Sequence, residues 1–199
     1  MNDVINAIFN IFMAPFEKTL LHKRRSNLIS KASGNTLEIG SGGGINFDYY
    51  NKEKIHSITV LDLKFNKSIK KHKLNKELDI NYLTCNAETL PFEDNVFDSV
   101  VVTLTLCAID NQEKALSEIY RVLKPGAKLY FLEHVIPNED KWISIAHKIN
   151  HTWKCIGKCN INRATHKNIE KHGFTIDDFE IFGKECFIFV KGIGIKNFS

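Results

Sequence analysis

Leu37-Glu38-Ile39-Gly40-Ser41-Gly42-Gly43-Gly44 (residues 37–44) is an apolar run with one acidic residue that passes directly into a glycine cluster. The first half reads as the end of a strand and the second as a turn whose backbone faces a ligand. Glycine reaches positive φ without steric cost and lets a bound group approach with no Cβ in the way. The spacing is Glu-x-Gly-x-Gly-x-Gly with Ile at position 45, so the last glycine of a dinucleotide-binding G-x-G-x-x-G turn is missing. An acidic residue at the head of the turn suits a nucleoside carrying a cationic amino group better than one carrying a diphosphate. A glycine turn alone also marks a plain strand–helix junction, and the flanking sequence has to decide between the two.

On both sides of the turn the chain alternates strand-like and helix-like segments. Residues 36–40, 57–62, 80–85, 97–104 and 128–133 are short runs rich in Val, Ile, Leu, Phe and Tyr, most of them apolar on both faces. Strands of a covered parallel sheet have that character. Residues 112–123 place Ala115, Leu116, Ile119, Val122 and Leu123 on one helical face and end at Lys124-Pro125-Gly126. Repeated βα units predict a mostly parallel sheet with helices on both faces. The end departs from that rhythm: 174–182 and 186–190 are β-prone runs joined by Gly183-Lys184-Glu185, an antiparallel hairpin that brings the expected strands to seven. The expected fold class is α/β, Rossmann-like, with residues 31–199 as one domain and 1–30 as an N-terminal helical extension or lid.

Two further loops carry the right groups for a nucleoside. Asp62 closes the second predicted strand, where a carboxylate can accept both ribose hydroxyls; the alternative role is to cap the next helix. Leu63 beside it would pack on the adenine. After the third strand, Asn86 can accept from the adenine amino group and the Ala87 amide can face a ring nitrogen.

With these residues in place, LEIGSGGGIN (37–46), VLDL (60–63), NAETLPFEDNVFDSVV (86–101) and ALSEIYRVLKPGAKLYFLEHV (115–135) resemble the class I S-adenosylmethionine (SAM)-dependent methyltransferases, methyltransferase type 11 branch. MAPFEK (13–18), TLCAIDNQEKAL (105–116), FLEHV (131–135) and GKCNINRATHKNIEKHGF (157–174) are similar to the methyltransferase-like-seven group, some animal members of which methylate alkyl thiols. The resemblance implies a Rossmann-like fold and SAM as cofactor, with S-adenosylhomocysteine as product. The cofactor residues it implies are Glu38, Gly40, Ser41, Gly42, Gly44, Asp62, Leu63, Asn86, Ala87, Glu88, Thr105 and Leu106. The group's early Tyr-Asp pair is Phe9-Asn10 here, and its usual Asp in the third loop is Asn86.

The sulfonium of SAM carries an activated methyl, so the protein mainly aligns a nucleophile and excludes water. Acceptor-side candidates therefore follow the fourth and fifth strands: Cys107, Trp153, Cys159 and Arg163 for binding, and His134 as a base near neutral pH; the resemblance adds Phe9 from the N-terminal extension. A lone histidine at a strand end is more often structural, which is the alternative role for His134, and Arg163 either pairs with an acidic substrate or fixes its own loop. Residues 142–163 should form part of the acceptor wall. His147, His151, Cys155 and Cys159 recur at every fourth position, but side chains stepping along one helix cannot converge on a tetrahedral ion, so no metal is expected.

The N-terminal stripe Ile5, Ile8, Phe9, Phe12, Phe16 and Leu20, followed by His22-Lys23-Arg24-Arg25, has two readings. One is a lid over the cofactor mouth. The other is an interfacial helix making peripheral membrane contact, its basic cluster near lipid headgroups. A net charge of +4 with scattered lysines leaves no nucleic-acid footprint. Five cysteines, an odd number without a secretory signal, point to reduced thiols in the cytoplasm. The expected function is methyl transfer from SAM to a small-molecule acceptor, with a thiol favoured by resemblance. The alternatives are a quinone-type or lipid-headgroup methyltransferase, a non-catalytic SAM-binding module and an NAD-dependent oxidoreductase.

Overall fold

The computed structural model describes residues 17–65, 69–157 and 159–198. Among them, β1 (Gly34–Ile39), β2 (Ile55–Asp62), β3 (Ile80–Thr84), β4 (Phe97–Thr103), β5 (Leu123–Val135), β6 (Phe174–Lys184) and β7 (Phe187–Lys196) form one seven-stranded sheet. Its order is β3-β2-β1-β4-β5-β7-β6. The first five strands are parallel, and β7 runs antiparallel to both β5 and β6. The C-terminal hairpin is therefore present, with its second arm reaching Lys196 rather than residue 190.

Strand alternation divides the apolar residues between two cores. Leu37, Ile39, Val100, Val102, Leu129 and Phe131 face one side, where α2 (Gln112–Val122) and α4 (Thr165–Lys171) supply Ala115, Leu116, Ile119 and Ile169. Ile58, Val60, Val101, Tyr130 and Leu132 face the other, covered by α1 (His22–Ile29) through Leu28 and Ile29. Each fully buried aliphatic or aromatic side chain contributes roughly 1.5–3 kcal/mol, so both helical layers are needed to hold a sheet apolar on two faces. The remaining helix, α3 (Asp140–Gly157), follows β5 at the carboxyl end of the sheet.

The expected alternation of strand and helix holds only in the second half. Among the described residues, β1 and β2 are joined by a 3-10 turn at Ile45–Asp48, and β2 and β3 by 3-10 turns at Ile69–Lys71 and Lys73–Lys76. No helix separates β3 from β4. The physical reason lies in the connections. The first is glycine-rich, and the third contains Pro91, which disfavours helix at the preceding residue.

Residues 17–29 are part of the packed body. Arg25 is only 2% exposed; it pairs in a fork with Glu17 (2.9 and 2.9 Å) and donates to Asn46 Oδ1 (2.7 Å) and Thr103 Oγ1 (2.8 Å). Arg24 lies over the Phe182 ring and pairs with Glu180. Both arginines of the expected lipid-facing cluster are thus used inside the protein, because α1 turns its basic side onto the sheet; His22 and Lys23 alone of that cluster remain exposed. The apolar stripe up to Phe16, including Phe9, lies outside the described residues. No described helix is long and apolar enough to cross a membrane.

Candidate active site

The carboxyl ends of β1 to β4 open onto a cleft of about 530 Å³. It lies where β1 and β4 are neighbours and the chain reverses its direction across the sheet, the usual ligand position in open α/β folds. Ile39, Gly40 and Gly42 line it from the first loop, Asp62, Leu63 and Lys64 from the second, and Cys85 to Glu88 from the third. Leu104, Thr105 and Ala108 to Asp110 close it from the fourth.

Local geometry explains the residue types. Gly40 has φ +74°, and a Cβ there would lie 2.1 Å from Thr105 Oγ1. Gly42 has φ +54° with open space where a Cβ would point, so its backbone borders the cleft directly. Asp62 accepts from the Gly42 amide through Oδ2 (3.0 Å) and from the Lys64 amide through Oδ1 (3.2 Å). Each carboxylate oxygen keeps a further acceptor site for a ligand hydroxyl. The amide oxygen of Asn86 accepts from the Glu88 N–H (3.0 Å), and Glu88 accepts from the Asn111 amide (2.9 Å), so the third loop is braced by its own side chains. Leu63 is 71% exposed at the rim. Ser41 Oγ is buried in the turn with no hydrogen-bond partner among the described residues. An unsatisfied hydroxyl beside an open glycine backbone and a two-oxygen acceptor fits the adenosyl and amino-acid parts of SAM.

The wall formed by residues 105–110 is clamped from every side. Glu133, at the end of β5 and fully buried, accepts the amides of Thr105 (2.9 Å) and Leu106 (3.0 Å) on Oε1 and that of Cys107 (3.0 Å) on Oε2. Gln112 Nε2 donates to the Leu106 carbonyl (3.0 Å), and Asn160 donates its backbone and side-chain N–H groups to the Cys107 carbonyl (2.8 and 3.1 Å). Arg163 donates to the carbonyls of Leu106, Ile109 and Asp110. Leu104 leads into the turn with φ +52°, a conformation costing of order 1–3 kcal/mol for a branched residue. Fixed partners around the turn hold that strain in place.

These facts sort the expected site residues. Gly40, Gly42, Asp62, Leu63, Asn86, Ala87, Glu88 and Thr105 line the cleft together, and Ser41 lies in the turn beside it. Glu38 does not line it. Strand parity turns its side chain to the α1 face, where it accepts from Tyr50 (2.7 Å) and Asn46 (3.2 Å), so it braces the loop from behind. Gly44 (φ +83°) packs toward Ile69, and Leu106 is buried in the core. Arg163 fixes the loop and is not free for a substrate charge. His134 is buried, stacked on Phe189, and its Nε2 donates to the Cys186 carbonyl (2.9 Å) while the ring also contacts Cys159. Both edges of the imidazole are used inside the protein, so the expected base does not face the cleft. Cys107 and Cys159 are buried against each other, with Trp153 Nε1 donating to Cys159 Sγ (3.2 Å), and none of the three lines the cleft. Cys159 lies past the end of α3, off the stripe that begins at His147 and His151. Glu133 was missed as a site residue; its place one residue before His134, at a strand's carboxyl end, was the available signal.

Burial raises the Glu38 carboxyl to about 7, against the opposing pull of Tyr50, Asn46 and Arg25. Its unfolded value is 4.5, so the folded state holds the proton more tightly, and stability from this group is lost as pH rises from 4.5 to about 7. Glu38→Gln should remove that loss. Urea unfolding should find the variant gaining on wild type by about 2.5 kcal/mol between pH 5 and pH 8. An offset between the two proteins that does not change with pH would show that Glu38 is ionised throughout.

Comparison with known proteins follows the same lines. The family described as "Methyltransferase domain" matches residues 37–131. Thiol S-methyltransferase TMT1B of Homo sapiens is 31% identical over 178 residues, 82% of this chain and 72% of that protein. TMT1B of Rattus norvegicus is 35% identical over 144 residues, 70% of this chain; the match spans about three fifths (59%) of the rat protein's own length. Among solved structures, N-methyltransferase NodS from Bradyrhizobium japonicum WM9, in complex with S-adenosyl-L-homocysteine, superposes with a TM-score of 0.68 at 14% identity, over 89% of this chain and 88% of that one. At that identity the superposition speaks for the fold.

Proposed function

Because this chain belongs to the SAM-dependent methyltransferase family that includes the thiol S-methyltransferases, we propose that it transfers the methyl group of SAM to a small thiol. The observation that carries the cofactor side is the Asp62 carboxylate, fixed by the Gly42 and Lys64 amides at the cleft wall with acceptor capacity left on both oxygens; the thiol acceptor is supported by the similarity to the thiol S-methyltransferases.

When bound, SAM supplies a methyl already activated by its sulfonium. The chain's own part is binding, orientation and exclusion of water. Asp62 would hold the ribose hydroxyls, the backbone at Gly40 and Gly42 with Ser41 Oγ the amino-acid end, and Asn86 with the Ala87 amide the adenine edge. The clamped turn 105–110 lines the cleft beside the glycine turn through Thr105 and Ala108 to Asp110, and a rigid wall is what holds an acceptor in line. Direct transfer to sulfur needs the acceptor as thiolate, and the described cleft lining contains Asp62, Lys64, Glu88 and Asp110 but no histidine. With no histidine among the described lining residues, the acceptor is expected to arrive already ionised, its proton lost to solvent, and the pH profile of transfer tests this. A reducing, cytoplasmic setting belongs to the same proposal and is supported by five unpaired cysteines.

The test is calorimetry with SAM and S-adenosylhomocysteine, followed by labelled-methyl transfer to a panel of small alkyl thiols with quinol and amine controls. Thiol products are expected, with kcat/KM rising tenfold per pH unit up to the pKa of each acceptor, about 8.5 for a simple thiol. Tight cofactor binding without transfer to any thiol would overturn the acceptor assignment. A flat pH profile would place a base in the cleft after all.

A further inference from the structure

Behind the cleft wall lies a group of side chains that cofactor binding does not use. Cys107 sits in the clamped turn and Cys159 in the segment after α3; their backbones are joined by the Asn160 amide, which donates to the Cys107 carbonyl at 2.8 Å. That link lays the two chains side by side, and their thiols meet in a hydrogen bond. Trp153 Nε1 donates to Cys159 Sγ at 3.2 Å, His134 contacts the same sulfur, and the Glu133 carboxylate faces Cys107. All five cysteines are free, and Cys155, on the exposed surface of α3, has no such surroundings.

We propose that Cys107 and Cys159 form a dithiol site for oxidative modification, in which a small hydroperoxide converts the pair to an intramolecular disulfide. Cys159 is the attacking sulfur. The hydrogen bond from the Cys107 thiol, with that from Trp153 Nε1, favours its thiolate and holds its pKa below the usual thiol value. Cys107 is held protonated by the same hydrogen bond and by burial, which makes it the second sulfur to react. Cys159 thiolate attacks the terminal peroxide oxygen, the O–O bond breaks, and the alkoxide or hydroxide leaves and takes a proton. Cys107 then passes its proton to the departing hydroxyl and attacks the sulfenic sulfur, giving the S–S bond and water. Two thiols are oxidised by two electrons and one peroxide bond is reduced, so the balance closes. The bond draws the sulfurs to about 2.05 Å, well inside a thiol hydrogen bond. Cys107 must then move with the turn that walls the cleft, so the modification acts on the acceptor side and leaves the Asp62 side in place.

Hydrogen peroxide at near-stoichiometric amounts, followed by alkylation and non-reducing peptide mapping of the full chain, tests this directly. A cross-linked peptide pair containing Cys107 and Cys159 is expected, reversed by dithiothreitol. Methyl transfer should drop by about tenfold in the oxidised protein and recover on reduction, with SAM affinity unchanged, since small displacements of an acceptor wall cost rate steeply. Cys107→Ser and Cys159→Ser should each lose the peroxide sensitivity. A disulfide through Cys155, or oxidation of Cys159 with Cys107 still alkylatable, would overturn the proposal. So would a Cys107–Cys159 disulfide with no change in transfer rate. Peptide mapping needs no activity and no variant, so its outcome is independent of the thiol-acceptor reading.

Discussion

Glu133→Ala is expected to lower the stability of the fold by about 3–5 kcal/mol, the range seen when one partner of a buried polar cluster is removed. The carboxylate has no exposed surface and accepts three consecutive amides, those of Thr105, Leu106 and Cys107, with no other side-chain acceptor for them among the described residues. Alanine leaves all three donors enclosed without a partner. Each unsatisfied donor costs about 1–3 kcal/mol, and relief from burying a charge offsets part of the sum. That burial is real: it raises the Glu133 carboxyl, while the three amides pull it back down. Glu133→Gln should fall between wild type and alanine. Its single oxygen can still take two amides, but its NH₂ would meet the Cys107 N–H, donor against donor. Urea unfolding midpoints give the comparison, and methyl transfer should fall further than stability alone accounts for, because Leu104 at φ +52° is released when the turn loosens. A Glu133→Ala protein with a wild-type midpoint would mean that the turn finds other acceptors and is not held from β5.

How much of this was open to sequence reasoning depends on how far apart the partners lie. The glycine turn, Asp62 and Asn86 were legible because each sits at the end of a strand and its chemistry is local: a backbone that needs no Cβ, a carboxylate, an amide. Glu38 was also legible in principle and was misplaced. Leu37 and Ile39 belong to the core covered by α2, so alternation sends Glu38 to the opposite face, away from the strand's edge where a ligand sits. The acidic residue at the head of the motif is a brace for Asn46 and Tyr50. Arg163, His134, Cys107 and Cys159 have meaning only through residues distant in sequence: Arg163 reaches back to Ile109, and His134 forward to Cys186. No spacing rule connects those pairs; the sheet order does, by placing the ends of β4 and β5 side by side with the segment after α3.

Asp62→Ala should weaken SAM binding by about 2–4 kcal/mol, or roughly thirtyfold to a thousandfold in Kd, the worth of two charge-assisted hydrogen bonds. Its two carboxylate oxygens each already hold one amide, from Gly42 and Lys64. The substitution therefore removes both the ribose acceptors and a brace on the glycine turn, and the two losses have to be separated. Asp62→Asn does so. The amide oxygen can keep one of the backbone contacts and one ribose hydroxyl, while the NH₂ can only donate and the negative charge is gone. If Asp62 acts on the ligand, asparagine should lose about tenfold or more in affinity while the unfolding midpoint stays close to wild type. If it acts only by bracing the turn, affinity and stability should fall together in both variants, and protection by S-adenosylhomocysteine should fall with them. Calorimetry on folded protein decides the matter: unchanged affinity in Asp62→Ala would take the carboxylate out of the binding site.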